Sequence, residues 1–161
     1  MDKSVKYLGL TLDQRLTWAD HIKTKRTSLN LKLHKLRPLL RSKTSLTNKI
    51  LIYKQILRPA MTYGIQLWGT SKNSNLIKLQ AFQSITLRVL SNAPWYVSNL
   101  TLHHDFNLPP ISSLAAHHYN KFHKNTLNHS NPLISNLSSR TIPDNPPRRL
   151  KRKWPRDLLN I

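Results

Sequence analysis

The carboxylates of this chain are few and scattered, which limits metal-dependent and acid–base chemistry. The 161 residues include 6 acidic side chains, all of them aspartates, and no glutamate. They are Asp2, Asp13, Asp20, Asp105, Asp144 and Asp157. Enzymes that use divalent ions on nucleic acid hold them with carboxylates that converge on one point. No two of these aspartates have strand-turn or helical spacing beside an apolar run. We therefore expect no two-metal site and no general acid–base pair.

Histidine is the other residue type here with chemical potential. The 8 histidines include the pair at 103–104, which precedes Asp105, and the pair at 117–118, which His123 follows. Zinc takes such imidazoles, but adjacent residues of a helix project in different directions, and the chain has no cysteine or glutamate to complete a site. We expect no metal site, with His118 packed on the core and the other histidines exposed.

The charge balance predicts a polyanionic partner. The chain has 26 Lys and Arg against 6 acids, a formal net charge of +20 and a pI of about 11.0. Because the excess is spread over several segments, we expect nucleic acid, the alternative being an inert basic surface. No apolar run reaches the ~20 residues that span a bilayer, so a membrane is not expected as partner. The absence of cysteine fits an intracellular, reducing setting.

The beginning of the chain is patterned as a strand that leads into a helix. Residues 5–12 suit a strand, 13–15 a turn, and a lone strand needs a partner for its backbone groups. Thr17 is suited to cap a helix that begins at Trp18. Its leucines recur at helical spacing to residue 40, but Pro38 is expected to kink or end it near Arg37.

Three further helices are expected. The second, from about 45 to 58, is expected to be the most buried; Pro59 should interrupt it, and a further helical piece is expected from Ala60 to Trp68. The third is capped by Ser74 and ends before Pro94, with Leu76, Leu79, Phe82, Ile85 and Val89 on its apolar side. The fourth follows Pro109 and Pro110 and buries Ile111, Ala115, His118 and Phe122. From about Asn128 the composition indicates an extended or loosely attached tail.

Basic side chains on the first helix and in the tail are the candidate nucleic-acid ligands. On the helix they are Lys23, Lys25, Arg26, Lys32, Lys35, Arg37, Arg41 and Lys43. In the tail they are Arg140, Arg148, Arg149, Lys151, Arg152, Lys153 and Arg156. The run RRLKRKWPR also suits a nuclear-localisation segment. Trp95, Tyr96 and Trp154 suit stacking on unpaired bases, whereas the commoner role of tryptophan predicts that Trp18, Trp68 and Trp95 lie in the core or at helix junctions.

Several ordered blocks carry a family resemblance. VKYLGLTLDQRLTWADHI, residues 5–22, resembles the segment that follows the catalytic motif in reverse transcriptases of non-LTR retrotransposons, particularly the jockey-like group. Residues 56–90 are similar to a block of that family in which Tyr-Gly and Trp-Gly precede a Leu-Gln helix. Residues 92–111 contain an Ala-Pro-Trp-Tyr-Val stretch of the same kind, and 129–137 and 148–159 resemble the family's C-terminal ending.

The resemblance implies a fold and a role. It implies a mainly α fold: a palm-exit β-hairpin remnant at 1–16, a helical thumb and following region at 17–127, and an irregular basic tail at 128–161. The hairpin at Tyr7, Leu8 and Gly9 would hold the primer strand, and the helix at 18–37 would meet the phosphates of the template–primer duplex. The partners implied are RNA and DNA, together with the palm and fingers of the parent polymerase.

No cofactor is expected in this chain. The resemblance implies that the parent polymerase uses Mg²⁺. Without the family's paired catalytic aspartates, the chain is expected to be a polymerase fragment that is inactive alone. Its expected location is the nucleus, or a cytoplasmic ribonucleoprotein. The alternative is a stand-alone basic RNA- or DNA-binding protein without polymerase activity.

Overall fold

The computed structural model describes residues 4–138 and 155–160, most of which are helical. A hairpin of β1, Ser4–Tyr7, and β2, Leu10–Asp13, precedes the helices. The helices are α1, Ala19–Arg41; α2, Leu46–Ile52; α3, Arg58–Thr62; α4, Ile65–Trp68; α5, Asn73–Ser91; α6, Asn99–Asp105; α7, Ile111–Leu127; and α8, Pro132–Ser135. A π turn, Tyr53–Leu57, joins α2 to α3, and 3-10 turns occupy Asn136–Ser138 and Pro155–Asn160. The predicted mainly α fold with a short N-terminal hairpin is confirmed.

The strand segment pairs with itself. β1 and β2 are antiparallel, with Ser4 opposite Asp13 and Tyr7 opposite Leu10. The two-residue turn between them places Leu8 and Gly9 at positive φ, as tight hairpins require. The lone strand expected at residues 5–12 is therefore two short strands, and each is the partner of the other along one edge.

Asp13 organises the entry to α1. Its carboxylate accepts hydrogen bonds from the backbone N–H and the hydroxyl of Thr17, both at 2.8 Å, and from the N–H of Trp18 at 2.9 Å. Trp18, in the left-handed conformation, is the N-terminal cap residue, so the predicted cap at Thr17 is wrong. Asp13 instead fixes the two residues that precede the helix, which ties the end of β2 to the start of α1.

Two prolines lie within helical segments rather than ending them. α1 continues past Pro38 to Arg41, where the hydroxyl of Ser42 donates to the carbonyl of Leu39 at 2.7 Å. A proline inside a helix costs about 3 kcal/mol, and the full burial of Leu40 in that last turn offsets most of it. At Pro59 the π turn widens the helix just before the proline, so the segment continues to Thr62. The predicted end of α1 near Arg37 is therefore wrong, whereas helical structure after Pro59, in α3 and α4, agrees with the prediction for residues 60–68.

The centre of the core is α5, which contacts α1, α2, α6 and α7. Leu79, Phe82 and Leu87 are fully buried on it. In α2 and the π turn, Leu46, Leu51 and Ile56 are exposed, so this is not the most buried helix. It is a helix with one apolar side, where Tyr53 and Leu57 face the core.

The apolar faces of two helices, α5 and α7, differ in detail from the sequence prediction. Ile85 of α5 is exposed, because α5 buries a face that includes Gln83 and Thr86 instead. On α7, Ile111 and Ala115 are buried as expected. His118 is only half-buried and Phe122 is exposed, since Leu114 and Tyr119 face the core in their place.

The C-terminal part, where the structure describes it, is made of short helical turns in contact with α7. Ser138 and Leu158 are buried there, and the carbonyl of Ser138 lies 3.0 Å from Nε2 of His123. Across the described residues no helix is both long and apolar enough to cross a bilayer.

Candidate nucleic-acid interface

The predicted primer-strand residues lie at the tip of the hairpin. Tyr7 and Leu8 are exposed there, and Gly9 completes the turn. The tip is held by a residue distant in sequence, because the hydroxyl of Tyr63 donates a hydrogen bond to the carbonyl of Leu8 at 2.8 Å. A Cβ placed on Gly9 would lie 3.4 Å from the Tyr63 ring, which shows how closely the tyrosine covers the turn. The tip is therefore fixed against the α3–α4 junction.

Lys25 joins α1 to the same junction. Its Nζ donates to the carbonyl of Tyr63 at 3.0 Å and to that of Ala60 at 3.3 Å. The ammonium also lies 5.4 Å from the Trp68 ring centroid and 5.7 Å from that of Tyr63, within the range of a cation–π contact. Burial, and then the charge of Lys32, lower the pKa of Lys25 to about 8. This lysine is half-buried and bonded rather than free.

A positively charged cleft lies between the hairpin, α1 and α3. Its volume is about 420 Å³. Three lysines line it, with hydroxyl donors from α1 and β2, and none of the lining residues is acidic. The polar members of the lining are Lys6, Thr11, His21, Thr24, Lys25, Ser28, Lys32 and Tyr63. Cations and donors gathered without a carboxylate create a positive potential that attracts an anion.

His21 is buried at the base of this cleft. It is 3% exposed, and its Nδ1 accepts the backbone N–H of Thr11 at 3.2 Å. Because Nδ1 accepts, the neutral ring carries its proton on Nε2, which is buried without a hydrogen-bond partner. Burial, and then the charge of Lys25, lower the pKa of His21 to about 4. The ring is therefore neutral at physiological pH and packs between Trp18 and Trp68.

Two arginines of α1, Arg26 and Arg37, are half-buried rather than exposed. The guanidinium of Arg26 lies 5.1 Å from the Phe82 ring centroid. Nη1 of Arg26 and Nε of Arg37 are buried without partners. The expected cationic exterior thus excludes these two side chains and Lys25, all three half-buried. The exposed members are Lys23, Lys32, Lys35, Arg41 and Lys43.

The aromatic candidates separate into two groups. Trp18 and Trp68 are buried as predicted, whereas Trp95 and Tyr96 lie on the surface between α5 and α6; of the two predicted positions for Trp95, the helix junction is right and the core is wrong. Trp154 and the tail cations Arg140, Arg148, Arg149, Lys151, Arg152 and Lys153, with the side chain of Arg156, lie outside the described residues. Nucleic-acid binding by the helix and tail cations stays a prediction.

The acids and histidines do not assemble into a metal centre in the described part of the chain. No three His or Asp side chains there are placed to share an ion. Asp13 is bonded to Thr17 and Trp18 before the start of α1, and His103 is held between Gln80 and the carbonyl of Leu108. The described residues therefore do not fit Mg²⁺.

The chain matches RNA-directed DNA polymerases of mobile elements. It is 42% identical over 158 residues to the probable RNA-directed DNA polymerase from transposon X-element of Drosophila melanogaster, covering 97% of this chain and 17% of that protein. It is 36% identical over 150 residues to the probable RNA-directed DNA polymerase from transposon BS of the same fly, covering 92% of this chain and 16% of that protein. It is 34% identical over 166 residues to the RNA-directed DNA polymerase from mobile element jockey of Drosophila melanogaster, covering 99% of this chain and 18% of that protein. The chain thus spans about a sixth of their length. No family model and no solved structure matches it.

Proposed function

We infer that this chain, which is homologous over nearly its whole length to part of the RNA-directed DNA polymerases of jockey-type mobile elements, is a part of such a polymerase that holds nucleic acid. The parent activity is the copying of RNA into DNA. The contribution of this chain is to hold the template–primer duplex.

The observation that carries this proposal is the cleft between the hairpin and α1. Lys6, Lys25 and Lys32 converge on it from two elements, and no carboxylate balances their charge. A phosphate of a nucleic-acid strand would relieve that repulsion and accept hydrogen bonds from the hydroxyls of Thr24 and Ser28. We therefore place one strand of the duplex in this cleft.

The neighbouring exposed groups extend the contact. At the tip of the hairpin, Tyr7 and Leu8 offer an apolar surface to the sugar and base edges of the strand. Along α1, Lys32 and Lys35 stand free to meet further phosphates. Contacts to phosphates fix position but carry no sequence information. Binding is accordingly expected to be strong in low salt and indifferent to sequence.

Nucleotidyl transfer belongs to other parts of the parent polymerase. The described aspartates do not converge, so the metal ions of that reaction would be held by the palm. A primer–template incubated with this chain, Mg²⁺ and deoxynucleotides is expected to give no extension. Elongation by the pure chain would contradict this assignment. The basic tail suits delivery to the nucleus, where the element would be copied.

Fluorescence anisotropy with a short RNA/DNA duplex tests the cleft. Replacing Lys6 and Lys32 with Gln is expected to weaken binding about tenfold, because two phosphate contacts are lost. Lys124→Gln, an exposed lysine of α7, is the matched control and should have much less effect. For the full chain, log affinity against log salt should fall with a slope of roughly −4 to −8, for about 5–9 phosphate contacts. Equal losses in cleft and control variants, or a flat response to salt, would count against the proposal.

A further inference from the structure

Two aromatic side chains on the segment between α5 and α6 are exposed to solvent. Trp95 is 89% exposed and Tyr96 72% exposed. Their ring centroids are 6.0 Å apart and the ring planes meet at 80°. By contrast, Trp18 and Trp68 are buried. Large apolar rings displayed side by side at a surface commonly mark a binding site.

The segment that carries these rings is tied down by Arg88 of α5. The guanidinium donates to the carbonyl of Pro94 at 3.1 Å, to that of Val97 at 2.5 Å and to Oδ1 of Asn99 at 3.1 Å. A turn bond from the N–H of Val97 to the carbonyl of Pro94 adds to this. The backbone on both sides of the two rings is therefore fixed, and little conformational freedom remains to be lost on binding.

The charge around the rings selects the class of partner. All three acceptors of Arg88 are neutral oxygens, so these bonds hold the guanidinium without cancelling its charge. In the sequence no acidic residue occurs from His21 to His104, a span that includes all of α5 and this segment. Tryptophan and tyrosine also anchor protein interfaces, but a segment without carboxylates favours a polyanion. Aromatic rings beside unbalanced cations are the usual surface for unpaired bases.

We propose that Trp95 and Tyr96 form a stacking surface for one or two unpaired bases of a single-stranded nucleic acid. The site lies on different elements from the hairpin–α1 cleft and acts on bases rather than phosphates. It is independent of duplex binding. A chain with both surfaces holds a duplex and an adjoining single strand at the same time.

A comparison of base-bearing and abasic strands tests the proposal on the full chain. The probes are an oligothymidylate and an abasic strand of equal length, which present the same phosphates. The wild-type chain is expected to bind oligothymidylate about tenfold more tightly than the abasic strand. Replacing both Trp95 and Tyr96 with Ser should abolish this ratio and leave affinity for the abasic strand nearly unchanged. Trp95→Phe should keep most of the ratio, because phenylalanine also stacks.

Leu133→Ser is the matched control, since Leu133 is also largely exposed but lies on α8. It should leave the ratio unchanged. Because both rings are in solvent, the double variant should unfold at the same urea concentration as the wild type, which separates a binding defect from a folding defect. An unchanged ratio in the folded double variant would overturn the proposal and favour a protein partner for this surface. Loss of duplex binding in the Lys6 and Lys32 variants would not affect this test.

Discussion

The hydroxyl of Tyr63 donates a hydrogen bond to the carbonyl of Leu8 at 2.8 Å, joining two residues that are 55 positions apart in sequence. The bond connects the turn of the hairpin to the junction of α3 and α4. The carbonyl of Tyr63 in turn accepts from Nζ of Lys25 and from Nε1 of Trp68, at 3.0 and 2.8 Å. One tyrosine thus connects the hairpin and α1, which line the cleft, with the buried Trp68.

Replacing Tyr63 with Phe should loosen the hairpin more than it destabilises the whole fold. The variant keeps the ring and loses one bond to a partly hydrated carbonyl, so the free energy of unfolding should fall by about 0.5 kcal/mol. Amide hydrogen exchange should quicken selectively in the β1–β2 pair. Tyr7→Phe is the control, since the Tyr7 side chain is exposed. Equal exchange rates in the two variants would show that the bond does not hold the tip.

Removing the carboxylate of Asp13 should cost far more. Asp13→Ala deletes three acceptor contacts that fix Thr17 and Trp18, one of them to the left-handed cap residue of α1. We expect a loss of about 2–3 kcal/mol in the free energy of unfolding, measured by urea titration at pH 7. Asp20→Ala removes an exposed acid from the first turn of the same helix and should cost about 0.5 kcal/mol or less. Similar losses in both variants would mean that only the helix dipole is involved.

The pH dependence of the Asp13 contribution follows from its bonds. Burial alone would raise the pKa of this carboxyl, but the hydrogen bonds from Thr17 and Trp18 lower it below its ordinary 3.8. A depressed carboxyl pKa stabilises the fold above the ordinary value, and this contribution is lost as the pH falls below it. The difference in stability between wild type and Asp13→Ala should therefore be constant near neutrality and shrink below about pH 4.

Local pattern was a good guide to element type but not to where helices end. The 3.6-residue periodicity and the Pro109–Pro110 start located the helices correctly, because those features act within a single turn. The prediction that α1 ends near Arg37 is wrong because the burial of Leu40 depends on tertiary packing, as does the π turn at Tyr53–Leu57 before Pro59. The short helix α6 is not among the predicted helices, although the hydroxyl of Ser98 caps it by accepting the N–H of Thr101 at 3.0 Å. A Ser before a polar-apolar run is the pattern that would have found it.

The candidate site was predictable in composition but not in arrangement. The charge of the chain predicts a polyanion and the basic residues of α1 as its ligands. The sequence does not show which of them are exposed, because the inward position of Arg26, for example, depends on Phe82 of α5. The sequence predicts no role for His21, because a single histidine near Trp18 does not belong to any recognisable motif. The usual burial of tryptophan predicts a core or helix-junction position for Trp95, and the sequence does not show that Arg88 holds the backbone on both sides of it.

Burial of His21 should make the fold sensitive to mild acid. Its pKa is about 4 in the folded chain against an ordinary value of 6.5, so between these values the unfolded state binds a proton that the folded state does not. The stabilisation is complete above pH 6.5 and is lost as the pH falls towards 4, by about 3 kcal/mol at most. Urea titrations from pH 7.5 to 4 should show this loss in the wild type and a flatter profile in His21→Gln. His104→Asn, at an exposed site, should follow the wild type. A wild-type profile in His21→Gln would place the acid sensitivity elsewhere, such as at His118, whose pKa burial also lowers.

Lys25 should make duplex affinity fall in mild alkali. Its pKa is about 8 because it is partly buried and lies near Lys32, so the cleft loses one positive charge as the pH rises through that value. A phosphate in the cleft favours the charged form, and affinity for an RNA/DNA duplex should therefore drop about fivefold between pH 7 and pH 9 at constant ionic strength. Lys25→Met should bind more weakly at pH 7 and show little further change, because the titrating group is gone. Lys124→Gln, at an exposed lysine of α7, should keep the wild-type slope. If Lys25→Met retains the full pH dependence, Lys25 does not face the bound phosphate, and the strand lies along the exposed lysines of α1 instead.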